Sequence, residues 1–466
     1  METASESNEY LAKRTLKQGT AGWLLLAGLG VGYVISGDYS GWNFGLAEGG
    51  FGGLLIAGVV IASMYLAMVL GMAEMSSALP AAGGGYTFAR RALGPWGGFA
   101  TGTAILIEYA IAPAAIATFI GAYVESLGLF GITDGWWVYL AVYVLFIGIH
   151  LSGVGEALKV MFVITGIALA GLIVFAITAI GRFDTANLTD IAPTDAAGAS
   201  SFLPFGYLGI WAAVPFAIWF FLAIEGVPLA AEEAKDPARN VPRGIIAAMA
   251  VLVVTGATVL VLAAGAGGAE VISASGNPLV EALGDTTMAK VVNYIGLAGL
   301  IASFFSIIYA YSRQLFALSR AGYLPKRLSV TNSRKAPTLA LIVPGIIGFV
   351  LSLTGQGAML LNMAVFGAAL SYVLMMISHI VLRRREPEMP RPYRTPGGVV
   401  TTGFALVIAA LSVVATFLVD STAATWCLVV FAAFMAYFGF YSRHHLVANS
   451  PDEEFAALAD AAKDVT

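Results

Sequence analysis

The sequence predicts an all-α membrane protein with twelve spanning helices, from its apolar composition, the length of its apolar runs and the distribution of its basic residues. Of 466 residues, 59% are hydrophobic and 11% are charged. A water-soluble chain carries roughly 25% charged residues. A chain this poor in charge cannot cover itself with polar surface, so lipid is its expected solvent. The net charge of −4 offers no basic face for nucleic acid. The single cysteine, Cys427, excludes an intrachain disulfide and is read as a packing or lipid-facing residue.

A helix needs about 20 apolar residues to cross a bilayer. Twelve runs qualify: 22–47, 52–78, 96–127, 135–151, 157–181, 206–231, 244–266, 289–318, 338–354, 358–382, 399–419 and 423–442. The first twenty residues are polar and the first apolar run has no evident cleavage site, so that run is expected to remain as a span. Basic residues then fix the sidedness. With the N-terminus inside, all of the 24 Lys and Arg residues except Arg182 and Lys290 fall on the cytoplasmic side. A wrong span count would scramble that alternation. The expectation is therefore a multi-pass protein of the plasma (inner) membrane with both termini cytoplasmic. It comprises an N-terminal segment 1–20, a ten-helix core 21–382, two further helices in 383–442 and a tail 443–466. The outer loop bearing Asp184, Asp190 and Asp195 is either an ordinary solvated loop or a weak cation funnel.

Two spans are interrupted at mid-membrane. Span one holds Ser36, Gly37, Asp38, Ser40 and Gly41 within a dozen residues, and span six holds Glu225, Gly226 and Pro228. Glycine tolerates unusual dihedrals and proline removes a backbone donor. These spans occupy corresponding places if the core is two five-helix halves, 21–181 and 206–382, and a matched pair of broken helices points to a transporter site between repeats. Simple helix kinks are the alternative.

Several segments together resemble the amino acid–polyamine–organocation superfamily over nearly the whole chain. They are Glu74-Met-Ser-Ser-Ala-Leu-Pro80 with Gly83-Gly-Gly-Tyr86, Glu108-Tyr109, Ala231-Glu-Glu-Ala-Lys-Asp-Pro237 with Val241-Pro-Arg-Gly244, and Ser319-Arg-Ala-Gly-Tyr-Leu-Pro325. The resemblance implies a LeuT-type fold, a 5+5 inverted repeat with helices 1 and 6 broken, and alternating access without catalysis or cofactor. The run Ser36-Gly-Asp-Tyr-Ser-Gly-Trp42 resembles, more narrowly, the ethanolamine permease group.

The resemblance implies a substrate site built from Ser36, Gly37, Asp38, Tyr39 and Ser40 on span one, Glu108 on span three, and Trp219, Phe220, Phe221, Ala223 and Glu225 on span six. Most family members carry a second glycine where Asp38 stands, and receive the substrate's carboxylate on bare amides there. Asp38 would accept those amides and repel an anion, which suits ethanolamine, a small ammonium compound without an acid group. An acid at mid-span is costly and is a functional candidate by default, although Asp also caps helices. One of the three aromatic residues is expected to hold the ammonium by its ring face. Glu225 is expected either to respond to protons or to bond broken helix ends, and Ser303 and Ser306 are candidate ion ligands. Span five lacks the mid-membrane lysine of several proton-coupled relatives, so proton, sodium and uncoupled uptake all stay open.

Other amine or amino acid permeases are the nearest alternative function, and a sensor or channel the next. Gly28-x-Gly30-x-Gly32 imitates a dinucleotide fingerprint but has no strand before it, and close helix packing explains it better. The four histidines show no zinc spacing.

Overall fold

The computed structural model describes residues 19, 21–80, 83–128, 131 and 135–447, with the backbone alone at 154–159. The basic residues Lys13, Arg14, Lys17 and Lys463, the Lys159 side chain and the tail from 448 lie outside the described residues. Within them there is no strand, only two isolated bridges, Ala21 to Ala234 and Thr331 to Pro337.

The helices follow the apolar runs. They are α1 (Trp23–Val34), α2 (Phe44–Ala78), α3 (Gly85–Ser126), α4 (Gly135–Leu151), α5 (Val154–Ile180) and α6 (Gly206–Glu233, irregular at its middle). The second set is α7 (Pro237–Gly267), α8 (Thr287–Arg320), α9 (Thr338–Ser352), α10 (Gly357–Arg385), α11 (Val399–Val419) and α12 (Ser421–Phe440). Nine helices among the described residues are long and apolar enough to cross a membrane, and three shorter apolar helices (α1, α4 and α9) stand where spans one, four and nine were expected. The chain is a multi-pass membrane protein.

Two expected boundaries lie inside continuous helices. Gly50 in α2 has φ 66°, and Gly94 in α3 has φ 75°. Each falls between or beside the apolar runs read from sequence. An L-residue side chain is unfavourable at such dihedrals, so glycine lets the chain bend without ending its hydrogen bonding.

Packing partners are exchanged by a shift of five helices. α1 packs on α7 as α6 packs on α2, α3 on α10 as α8 on α5, and α3 on α4 as α8 on α9. The Gly28, Gly30 and Gly32 stripe is a packing surface, since a methyl on Gly28 would strike Phe162 of α5 and one on Gly30 would strike Ala248 of α7.

Arginine–carboxylate pairs tie helix ends together on one face. Arg383 and Arg391 hold Glu74, Arg91 holds Glu386, Arg320 holds Glu232, and Arg313 holds Glu233 at 2.7 Å. Arg313 also lies over the Tyr309 ring at 4.3 Å. Both partners of the Arg313–Glu233 pair are buried, so removing only the cation leaves an acid in a poor solvent. Arg313→Met should therefore destabilise by about 3–5 kcal/mol. Thermal unfolding in detergent checks this, and the double variant Arg313→Met/Glu233→Leu should recover most of the loss.

On the other face two of the three loop acids, Asp184 and Asp190, serve structure. Asp184 accepts from Ala186 N at 2.9 Å, and Asp190 accepts from Glu270 N at 3.0 Å, joining the α5–α6 loop to the short helix Ala269–Ile272. Those bonds favour the ordinary-loop reading of this segment. Cys427 is buried against the Met363 carbonyl, a packing residue.

Candidate functional site

The backbone breaks of α1 and α6 touch. After Val34 the chain continues as a single turn, Ser36–Tyr39, and Ser40 is extended. In α6 regular helix stops at Trp219, and Ala223 takes a left-handed φ of 78° before a 3-10 segment Ile224–Glu233. The interruption thus begins ahead of the Glu225–Gly226–Pro228 cluster to which the sequence pointed, and Pro228 rides inside the 3-10 turn. A left-handed alanine is strained, and such strain persists only where surroundings enforce it. Gly37 is part of that enforcement: a methyl there would lie 2.4 Å from the Trp219 carbonyl oxygen.

Side-chain contacts at one end and backbone hydrogen bonds at the other join the two interrupted helices. Trp219 Nε1 donates to the Ser40 carbonyl at 2.9 Å, Trp42 stacks on Phe220 with centroids 5.4 Å apart, and Trp219 meets Phe119 edge-on. Asn43 donates to the carbonyls of Ile272 and Ser275, which fastens the α7–α8 loop over this end. At the arginine-rich end, Ala21 N donates to Glu233 O and Lys235 N to Ala21 O.

Asp38 is fully buried on this turn, and neither of its carboxylate oxygens has a hydrogen-bond partner. It faces α7: a methyl on Gly256 would lie 3.7 Å from its Oδ1. The Thr255 hydroxyl lies beside it, placed to donate either to this carboxylate or to Leu252 O at 3.3 Å. The expected capping role is therefore corrected. Asp38 accepts no backbone amide, and the amide of Gly41 goes to Asn43 Oδ1 instead.

A second acidic centre lies between α3, α6 and α10. Glu225 accepts from the Tyr109 hydroxyl at 2.8 Å and from the Tyr372 hydroxyl at 3.1 Å, and Tyr372 is joined to Tyr65 at 2.9 Å. The tyrosines are partners that the sequence did not point to, and the backbone amide of Glu225 itself, just after the break, also contributes to holding its carboxylate. Glu108 lies against Glu225, and its oxygens have no other donor. All three acids are buried, and none has an ion-pair partner among the described residues. This contrasts with Glu74, Glu232, Glu233 and Glu386, each of which holds an arginine.

The remaining expected residues are also brought to the breaks, with most of their polar atoms engaged. Ser36 Oγ meets Ser303 Oγ at 2.8 Å, and Ser303 also donates to the Tyr33 carbonyl, so α8 is pinned to the end of α1. Ser306 bonds its own helix at Ala302 and lines a cleft of about 10 Å³ with Thr165 and Glu233, room for roughly one water. Tyr39 donates to Ala168 O, and Ser40 donates to Gly276 O. Phe221 packs on Tyr65. No group of three or more His, Cys, Asp or Glu residues able to hold a metal occurs among the described residues.

Sequence reasoning missed Tyr65, Tyr109 and Tyr372 as a set, together with Thr255 and Gly256. The available signal was a buried phenol at mid-span, because its hydroxyl needs a partner in an apolar medium.

Residues 22–441 match the family model described as amino acid permease. The chain is 28% identical over 426 residues to an uncharacterized transporter of Rhizobium meliloti (strain 1021), covering 89% of this chain and 90% of that protein. It is 26% identical over 436 residues to the branched-chain amino acid permease BcaP of Bacillus subtilis (strain 168), covering 87% and 88%. The methylthioribose transporter of the same bacterium is 30% identical over 394 residues, covering 79% and 82%. These matches are to transporters and permeases, not enzymes. With the family model spanning all but the two ends of an all-helical, multi-pass chain, this protein belongs to the amino acid permease family.

Proposed function

We propose that the protein is a secondary transporter that imports a small ammonium solute, ethanolamine being the candidate, by alternating access between two five-helix halves. The observation that carries this reading is the company its buried acids keep. Four acids near the helix ends hold arginines, whereas among the described residues Asp38, Glu108 and Glu225 at the breaks have no ion-pair partner and their polar neighbours are tyrosines, a threonine and, for the two glutamates, each other. Uncompensated buried carboxylates are strongly unfavourable. A cationic ligand, or protons, would offset that burden, and an additional carboxylate from the ligand would increase it.

In this reading the ammonium is held at Asp38 and the Glu108–Glu225 centre, with Trp219 and Phe220 closing over it. Ser36, Gly37, Tyr39, Ser40, Phe221 and Ala223 shape the surrounding breaks. Glu225 responds to protons, or Ser303 and Ser306 admit an ion beside α1. Twelve spans, a LeuT-type inverted repeat and cytoplasmic termini in the plasma membrane belong to the same proposal. The five-helix exchange of packing partners and the one-sided arginine pairs support it.

A permease for a zwitterionic amino acid is the second reading, favoured by the branched-chain permeases among the relatives. Uptake of labelled ethanolamine into liposomes, with sodium and pH gradients imposed separately, discriminates between them. Saturable, trans-stimulated uptake that ethanolamine blocks and leucine does not is the expected result. Uptake of leucine with no entry of ethanolamine would replace the amine with the amino acid, and non-saturable flux would indicate a channel.

A further inference from the structure

A surface groove that none of the transport reading uses runs the length of α7. Its lower part, about 920 Å³, is walled by Trp23 of α1, by Arg239, Arg243, Ile246 and Ala250 of α7, and by Tyr393 before α11. Its upper part, about 660 Å³, lies between α5 and α7 and is walled by Leu172, Ile173 and Ile177 with Ala250, Val254 and Thr258. Ala250 lines both parts, so the two are adjacent along α7.

The α7 residues lining the two parts include 239, 243, 246, 250, 254 and 258, spaced by three or four, with neighbours such as 242, 247, 251 and 255 widening the same helix face. The face changes character once. Arg239 and Arg243 stand at one end, and everything from Ile246 onward is apolar or a threonine. Val254 is 65% exposed and Ala250 is exposed too, so the described residues leave the middle of this apolar stretch uncovered. Arg239 is also largely exposed, and its nearest acid, Asp236, is 3.8 Å away, a weak contact.

Dimensions identify the occupant. Arg243 and Val254 are eleven residues apart, about 16 Å along a helix at 1.5 Å per residue. Half of a bilayer's hydrocarbon thickness is about 15 Å. Trp23 and Tyr393 flank the charged end, where aromatic residues mark the level of lipid headgroups. Two guanidinium groups suit a phosphate, and the apolar path beyond suits an acyl chain.

We infer that this groove is a binding site for an anionic phospholipid of the arginine-side leaflet, its phosphate between Arg239 and Arg243 and one acyl chain along α7 to Val254. Thr255, the neighbour of Asp38, lines the upper part of the groove, so a bound chain buttresses the wall behind that acid. The inference rests on the membrane-spanning fold and not on the identity of the transported solute.

Native mass spectrometry of the delipidated full chain, titrated with phosphatidylglycerol or phosphatidylcholine of identical acyl chains, tests it. Two arginines near the surface should give phosphatidylglycerol about a 10- to 30-fold preference. Arg239→Gln/Arg243→Gln should reduce that preference to about twofold or less, with an unchanged melting temperature because both side chains are exposed. Arg327→Gln, an exposed cation elsewhere on the chain, should keep it. Ala250→Trp should weaken both lipids by obstructing the groove. Equal binding of the two lipids by the unmodified chain overturns the proposal. So does a preference that survives the double arginine variant, or binding untouched by Ala250→Trp. Competition by soluble glycerol phosphate would also overturn it, because it would assign the arginines to a headgroup alone.

Discussion

Asp38→Asn is expected to reduce ethanolamine uptake by about 100-fold or more while leaving the melting temperature unchanged or raised. Both halves follow from one feature. Among the described residues only the Thr255 hydroxyl is placed to donate to this carboxylate, and no ion pair holds it, so the fold loses little when one oxygen becomes an amide nitrogen. In the proposed site the burial cost of this acid is offset by the ligand's cation, so the acid matters to uptake more than to the fold. Losing a buried contact between this acid and a ligand cation corresponds to roughly 3–5 kcal/mol, or two to three orders of magnitude in the specificity constant. Initial rates in liposomes give the first number and thermal unfolding the second. Unchanged uptake would remove Asp38 from the site, and with it the reason for preferring an amine over an amino acid. A fall in stability would instead assign the acid to the packing of α1 on α7.

Gly37→Val should do the opposite, damaging the scaffold first. The added Cβ would meet the Trp219 carbonyl oxygen at 2.4 Å, and a backbone atom cannot swing aside as a flexible side chain can. The two breaks must then separate, which also pulls at the Trp219–Ser40 hydrogen bond and the Trp42–Phe220 stack. We expect a destabilisation of about 3 kcal/mol or more and no measurable transport of any solute. Gly58→Ala on α2 is the matched control, because its nearest neighbour would be Leu260 at 3.9 Å, an ordinary contact. Melting temperatures of the two variants in one detergent check the contrast. Equal values would mean that the breaks do not rely on this approach.

The adjacent positions Gly37 and Asp38 therefore separate scaffold from ligand chemistry. Solute-independent loss at Gly37 and solute-dependent loss at Asp38 together would support the proposed site. Loss of both for every solute would leave only the family assignment standing.

Much of the helical layout was legible without coordinates. The runs 135–151 and 399–419 coincide with α4 and α11, and the gap between runs one and two contains the Gly50 bend. Apolar length is a one-dimensional property that the bilayer imposes on each helix separately, so each can be read from its own residues. Proximity of the two breaks was also anticipated, because paired interruptions in a membrane need each other to satisfy their backbone.

What depended on the packed structure is the direction in which each side chain points. Sequence placed acids at positions 38, 108 and 225, yet only packing decided that Glu225 is held by Tyr109 and Tyr372 and that Asp38 turns toward Gly256 on α7. The left-handed Ala223 was equally hidden, since nothing in an alanine announces strain. Composition and periodicity report how each segment meets lipid; partners drawn from four different helices are set by tertiary contact, and a single strand of text carries no distance between them.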